Sequence, residues 1–284
     1  MRLFYPALLI LALLATQSVA QVTPKTVHFM SDDGKTRLTG YLWLPRGGGQ
    51  HPAVVMMHGR HGAYSSLAHG VYNATTLTKR HKMWGEFWAE RGYVALHVDG
   101  LGPRGYPAGF EKGSYEDRPE ELNEVAIRPL DAYGAVRYLH TRSDVVADRI
   151  GLQGWSNGAS ATLSSMARDT PGTQNPAPES GFRAALAFYP GCGLQDRYKK
   201  AYRTYAPILL VIGSDDEEVS PKICQQLDET GRRDGDRIEF VLYPGATHDF
   251  DDPGKKRQSV AANRKATADS MRRAEAFFAR YLKQ

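Results

Sequence analysis

The sequence is poor in cysteine, with only Cys192 and Cys224 in 284 residues. Neither belongs to a Cys-x-x-Cys motif or a Cys/His spacing suited to zinc, so no structural metal site is expected. After the first twenty residues the chain also lacks an apolar stretch long enough to span a bilayer. Its 42% hydrophobic and 24% charged residues are typical of a globular protein with a full core.

The chain has only a small excess of positive charge, with a formal net charge of +5. The basic residues are scattered, and no tract interleaves them with aromatic residues, which argues against a nucleic-acid partner. We interpret them as a solvated basic surface. Examples are Arg46, Lys79, Arg80, Arg128, Lys199, Lys200, Lys255, Lys256 and Arg257.

Residues 1–20 differ from the rest of the chain. Arg2 precedes an apolar run from Leu8 to Leu14, and small residues end at Ala20, before Gln21. This pattern predicts a secretory signal peptide cleaved after Ala20, because the apolar run is too short for a membrane anchor. The prediction is a secreted or periplasmic protein of residues 21–284, with no membrane contact after cleavage.

The stretch Gly154-Trp155-Ser156-Asn157-Gly158 follows a short, partly β-branched segment and precedes one rich in Ala, Leu and Met. Such a Gly-x-Ser-x-Gly pattern between a strand and a helix is typical of a tight turn that exposes a strained serine. The hydroxyl then lies at a helix N-terminus, where free N–H groups favour a developing anion. Ser156 is therefore a candidate nucleophile.

Strands and helices alternate along most of the chain. Apolar runs such as Ala53–Met57 and Tyr93–Val98 suit strands buried on both faces, and a helix is expected over about Glu120–His140, with a possible kink at Pro129. No repeat or linker divides the chain. These features predict one α/β domain, a mostly parallel sheet of about eight strands with helices on both faces.

A serine nucleophile needs a base, and the base needs an orienting carboxylate. The order serine, acid, histidine leaves His248, after the last strand, as the one downstream base. Four carboxylates follow the strand at Ile208–Ile212, and we expect most of them to be surface charges. Asp216 is the preferred acid and Asp215 the alternative.

Together these motifs resemble the dienelactone hydrolase family of α/β-hydrolases. The resemblance rests on the Ser156 turn, Gly213-x-x-Asp216-x-x-Val219, Tyr243-Pro244-Gly245-Ala246-x-His248-x-Phe250, and His58-Gly59 after the third strand. It implies Ser156 as nucleophile, His248 as base and Asp216 as acid. It also implies an oxyanion hole formed by the backbone N–H groups of Asn157 and Arg60. The family's founding members carry cysteine at the turn and are cytoplasmic, so serine and export favour a broader ester substrate.

The function expected is hydrolysis of small carboxylic esters or lactones through an acyl-enzyme, with no metal or organic cofactor. A small exported peptidase and a non-catalytic binding protein on the same fold are the alternatives. Arg60, His61 and Arg104 are candidates to lie near the pocket mouth, where they would suit a carboxylate on the substrate. Cys192 and Cys224 are expected to form a disulfide in an oxidising compartment. The oligomeric state is not readable from the sequence.

Overall fold

The computed structural model describes residues 23–193 and 202–284, so the expected signal peptide lies outside the described residues. Eight strands form one sheet in the order β1-β2-β4-β3-β5-β6-β7-β8. The strands are β1 (Lys25–Met30), β2 (Arg37–Trp43), β3 (His51–Met57), β4 (Val94–Asp99), β5 (Val145–Trp155), β6 (Ala184–Phe188), β7 (Ile208–Gly213) and β8 (Ile238–Tyr243).

The described helices connect these strands. They are α1 (Lys79–Glu90), α2 (Arg128–His140), α3 (Asn157–Met166), α4 (Pro221–Arg233), α5 (Lys255–Gln258) and α6 (Ala261–Leu282). Short 3-10 helices span Ala74–Thr76, Gly102–Arg104, Tyr115–Asp117 and Glu120–Leu122. Within the described ranges, no helix is long and apolar enough to cross a membrane.

Only β2 runs opposite to the other strands of the sheet. β1 pairs antiparallel with β2, and β2 antiparallel with β4, while every pair from β4 to β8 is parallel. Because parallel strands are covered on both faces, their sequences are continuously apolar, and β4, β6 and β7 are buried along their whole length. The prediction of a mostly parallel sheet of about eight strands is confirmed.

Two glycines of β5 that face opposite sides of the sheet, Gly151 and Gly154, show which helices cover each face. Added Cβ atoms would meet Phe278 of α6 at Gly151, but the backbone of α3 at Gly154. Since neighbouring side chains in a strand point to opposite faces, α3 and α6 lie on opposite sides. Trp88 of α1 packs against Phe278 of α6, with 5.1 Å between the ring centroids, so α1 and α6 lie on the same face of the sheet.

The expected helix over Glu120–His140 is shorter than predicted, because α2 begins at Arg128. The Asn123 side chain accepts hydrogen bonds from the backbone N–H groups of Val125 and Ala126, at 2.7 and 2.9 Å, which closes a turn ahead of the helix. Pro129 then occupies the first helical turn, where a missing N–H costs nothing, so it starts the helix rather than kinking it.

Candidate active site

Ser156 lies in the sharp turn between β5 and α3. Its backbone has φ 52° and ψ −119°, a strained conformation for a residue with a side chain. The flanking glycines make this turn possible: a Cβ on Gly158 would lie 2.1 Å from the Met57 carbonyl oxygen, and one on Gly154 2.2 Å from the Gly158 oxygen. The turn therefore places the Ser156 hydroxyl at the N-terminal end of α3, beyond the carboxyl end of β5.

His248 connects Ser156 to Asp216. The Nε2 atom of His248 lies 2.9 Å from the Ser156 Oγ, and its Nδ1 atom lies 2.8 and 3.0 Å from the two Asp216 oxygens. A carboxylate facing Nδ1 fixes the proton on that nitrogen, which leaves Nε2 free to accept a proton from the hydroxyl. The side chains of His248 and Asp216 are fully buried.

The turn after β7 holds His248 at its backbone as well as at its ring. Glu217 accepts a 2.9 Å hydrogen bond from the His248 backbone N–H and also pairs with Arg257 at 2.7 Å. Glu218 accepts from the Arg60 guanidinium, and one of its oxygens lies 3.5 Å from His248 Nε2. The expectation that most of these carboxylates are surface charges is wrong for Glu218, whose side chain is 12% exposed, whereas Glu217 is exposed as expected.

The pKa of His248 is raised above the ordinary histidine value. Burial by itself would lower this pKa, but the hydrogen bond with Asp216 and the negative charges of Asp249, Asp216 and Glu218 outweigh that effect. Because these groups stabilise the protonated ring, the site favours a histidine that takes up a proton.

The glycine-rich turn after β3 packs directly against the Ser156 turn. A Cβ on Gly59 would lie 3.4 Å from the Ser156 Cβ. Arg60 follows, and its backbone N–H donates to no backbone carbonyl within residues 23–193 and 202–284. Asn157 is the first residue of α3, so its N–H has no acceptor within the helix. Both expected oxyanion donors therefore lie next to Ser156 with their N–H groups available.

A buried polar network lies beneath His248. Asp251 is fully buried and accepts hydrogen bonds from the Trp84 and Trp155 indoles, at 2.8 and 2.9 Å, and from the Tyr189 hydroxyl. The Tyr189 ring packs on the His248 ring at 4.7 Å between centroids. Arg80 links Tyr189 to Asp249. These contacts fix the loop that carries the histidine.

Two cavities open onto Ser156. The larger, of about 470 Å³, includes His61 and Arg80. The smaller, of about 350 Å³, includes Asn157, Tyr115 and Val219. Arg60 lines both cavities, and its ion-pair partner Glu218 lines the smaller one. An ester bound at Ser156 has room for a group on either side of its carbonyl.

A family model for the dienelactone hydrolase family matches residues 38–282, which is most of the chain. The chain belongs to the dienelactone hydrolase family. A Bradyrhizobium sp. relative named "probable 2-oxo-3-(5-oxofuran-2-ylidene)propanoate lactonase" is 26% identical over 227 residues, covering 77% of this chain and 80% of the relative. The chain is therefore a member of a hydrolase family that includes esterases and lactonases.

Solved structures of similar proteins share the dienelactone hydrolase fold. A dienelactone hydrolase-like promiscuous phosphotriesterase from metagenomic libraries has a TM-score of 0.67 at 18% identity, over 91% of this chain and 98% of its own. The esterase 2 of Thermogutta terrifontis with bound propionate has a TM-score of 0.63 at 20% identity, over 92% of this chain and 95% of its own. At these identities the likeness concerns the fold alone.

Some of the other residues expected at this dienelactone hydrolase-type site line its cavities, and others do not. Asp215 lies next to Asp216 but accepts its hydrogen bond from Ser214, at 2.7 Å, and is exposed. Arg60 and His61 line the cavities, as expected. Arg104 does not, because its guanidinium binds Asp131 and Asp33 at 2.8 Å and supports the loop after β4 instead.

The expected disulfide between Cys192 and Cys224 is present, with 5.1 Å between their Cα atoms. It joins the segment after β6 to α4. Gly191, beside Cys192, lines the smaller cavity and donates to the Ser160 hydroxyl at 2.9 Å. The bridge therefore braces one wall of the site of this dienelactone hydrolase-family member.

Four residues near the site were not identified as such from the sequence. Arg80 and Arg128 were interpreted as surface charges, yet they are only 8% and 1% exposed. Glu217 is exposed, as expected of a surface charge, but it binds the His248 backbone N–H, and the Glu218 side chain is only 12% exposed. A sequence signal existed only for the glutamates, through their adjacency to Asp216; nothing in the pattern around either arginine indicates burial.

Proposed function

We propose that the protein is an exported serine hydrolase that cleaves carboxylic esters or lactones, with Ser156 as nucleophile, His248 as base and Asp216 as orienting acid. The observation that carries this proposal is the continuous chain of hydrogen bonds, 2.9 Å from the Ser156 Oγ to His248 Nε2 and 2.8 Å from Nδ1 to Asp216. The family's esterases and lactonases support the choice of substrate class.

The reaction proceeds by two acyl transfers. Ser156 attacks the carbonyl carbon of the ester while His248 takes its proton, and the negative charge on the carbonyl oxygen is stabilised by the N–H groups of Asn157 and Arg60. His248 then donates the proton to the departing alkoxide, which leaves Ser156 acylated. Water repeats the sequence, releasing the acid. For a lactone, the alcohol and the acid remain parts of one product.

The two cavities at Ser156 support an ester with substituents on both sides of the carbonyl. Export through a signal peptide at residues 1–20, with residues 21–284 as the mature domain, remains part of the proposal. The Cys192–Cys224 disulfide supports it, because disulfides persist mainly in oxidising compartments.

The first test is hydrolysis of a short-chain p-nitrophenyl ester by the purified protein and by its Ser156→Ala variant. Turnover by the wild type and loss of essentially all of it in the variant would support the proposal. A folded Ser156→Ala protein that keeps wild-type turnover would refute the role of Ser156. Circular dichroism and a thermal unfolding curve establish that both proteins are folded.

A further inference from the structure

A buried arginine lies beside the Ser156 turn. Arg128 opens α2 and is 1% exposed. Its Nη1 donates a 2.6 Å hydrogen bond to the side-chain oxygen of Asn157. Within the described part of the chain, its Nε and Nη2 atoms have no hydrogen-bond partner. It forms no ion pair within 4.0 Å with any described residue, so the guanidinium meets a neutral amide rather than a carboxylate.

The other buried arginines nearby are neutralised by acids. Arg80 pairs with Asp249, and Arg104 pairs with Asp33 and with Asp131. Asp131 follows Arg128 by less than one turn of α2, yet its oxygens bind Arg104. The fold thus supplies a carboxylate close to Arg128 and directs it to a different partner.

Arg128 nevertheless keeps its charge at neutral pH. Burial lowers its pKa to about 10, an effect that the negative charges of Asp131 and Glu124 partly offset. A buried cation without a directly bound anion is unfavourable in a folded protein. Such an arrangement is typical of sites where a negative charge appears during the reaction, since the cation is then complementary to the transition state.

We propose that Arg128 is a positioning residue for the oxyanion hole, acting through the Asn157 side chain to hold the Asn157 N–H and adding a positive charge behind it. This inference rests on the proposed function. The substrate carbonyl is neutral, whereas the tetrahedral intermediate carries a negative oxygen facing the Asn157 N–H. The interaction with Arg128 is therefore stronger in the transition state than in the bound substrate, and its loss lowers kcat rather than raising KM.

Three substitutions separate the charge of Arg128 from its hydrogen bond. Arg128→Gln removes the charge and keeps an N–H donor, and Arg128→Lys keeps the charge. Asn157→Ala removes the acceptor and keeps the backbone N–H. Arg137→Gln is the matched control, because Arg137 lies on the same helix, is exposed, and its replacement changes the net charge equally.

Kinetics on a p-nitrophenyl ester test the proposal. We expect Arg128→Gln to lower kcat on the order of 10- to 100-fold with KM changed less than about threefold. Arg128→Lys should recover most of kcat, and Arg137→Gln should match the wild type. If the two residues act together, Arg128→Gln should cost less in the Asn157→Ala background than in the wild type.

Unchanged kcat in folded Arg128→Gln, a change confined to KM, or losses that simply multiply in the double variant would overturn the inference. If Arg128→Gln does not fold, Asn157→Ala decides alone, since a wild-type kcat there also overturns it. Ser156→Ala, assayed in parallel, separates the two levels. Loss of activity in Ser156→Ala with normal Arg128→Gln refutes only the role of Arg128. Turnover surviving in Ser156→Ala refutes the proposed function and this inference with it.

Discussion

Replacing Asp216 by asparagine should reverse the tautomer of His248. The Oδ1 atom of Asp216 accepts hydrogen bonds from the backbone N–H groups of Glu218 and Val219, at 2.9 and 3.0 Å. In Asp216→Asn those two donors select the amide oxygen for that position, because an amide nitrogen there would face two N–H groups. The amide NH₂ must then occupy the place of Oδ2, which lies 2.8 Å from His248 Nδ1.

An NH₂ group facing Nδ1 requires Nδ1 to be the acceptor, so the ring proton moves to Nε2. That nitrogen faces Ser156 and can no longer accept its proton. The variant also loses the carboxylate that stabilises the imidazolium in the transition state. A hydrogen bond to a charged group contributes about 1.5–3 kcal/mol. With the cost of the wrong tautomer, the total reaches roughly 4–5.5 kcal/mol, or about 10³- to 10⁴-fold in kcat.

The assay is the steady-state hydrolysis of a p-nitrophenyl ester, with Asp215→Asn as the matched control. Asp215 is the adjacent residue and is exposed, and among the described residues its side chain bonds only to Ser214. We expect it to keep kcat within about twofold, since surface changes of this kind have small effects. A folded Asp216→Asn protein with more than a tenth of wild-type kcat would refute the argument. So would an equal loss in Asp215→Asn.

Two further predictions concern pH and processing. The acid limb of the kcat/KM profile should have its midpoint above the ordinary histidine pKa, because His248 must be neutral to act as base and its own pKa is raised. Glu218→Gln should move this midpoint to lower pH, since it removes a negative charge that favours the protonated ring. An unmoved midpoint would exclude that contribution. Protein recovered from the exported fraction should have a mass that begins at Gln21 and is two hydrogens below the reduced form; a mass that includes residues 1–20 would refute cleavage, and two reactive thiols after unfolding would refute the Cys192–Cys224 bridge in solution.

Much of the fold follows from the sequence, because its signals are local. Continuous apolar runs mark β3 and β4, and Gly154 and Gly158 mark a turn that only small residues allow. The start of α2 could not be placed in the same way. An apolar stripe extends back to about Leu122, but the side chain of Asn123 closes a separate turn, and that competition depends on the local geometry.

The candidate triad was also predictable, because chain order and strand ends restrict the choice to a few residues. The roles of charged neighbours were not. A charge in a sequence is usually interpreted as exposed, yet Arg128 is 1% exposed and its guanidinium binds Asn157 at the start of α3. Whether a charged side chain is buried depends on contacts between elements far apart in the chain. For Arg128 and Asn157 that separation is 29 residues.

The turn after β7 shows how such contacts divide one acidic run into separate functions. Asp216 binds the ring of His248, Glu217 binds its backbone N–H, and Glu218 binds Arg60. Arg60 also supplies the second expected oxyanion donor through its backbone. The proposed base and one proposed oxyanion donor are therefore both connected to a single turn that begins at the end of one buried strand. Because of this connection, we expect changes to this turn to affect proton transfer and oxyanion stabilisation together.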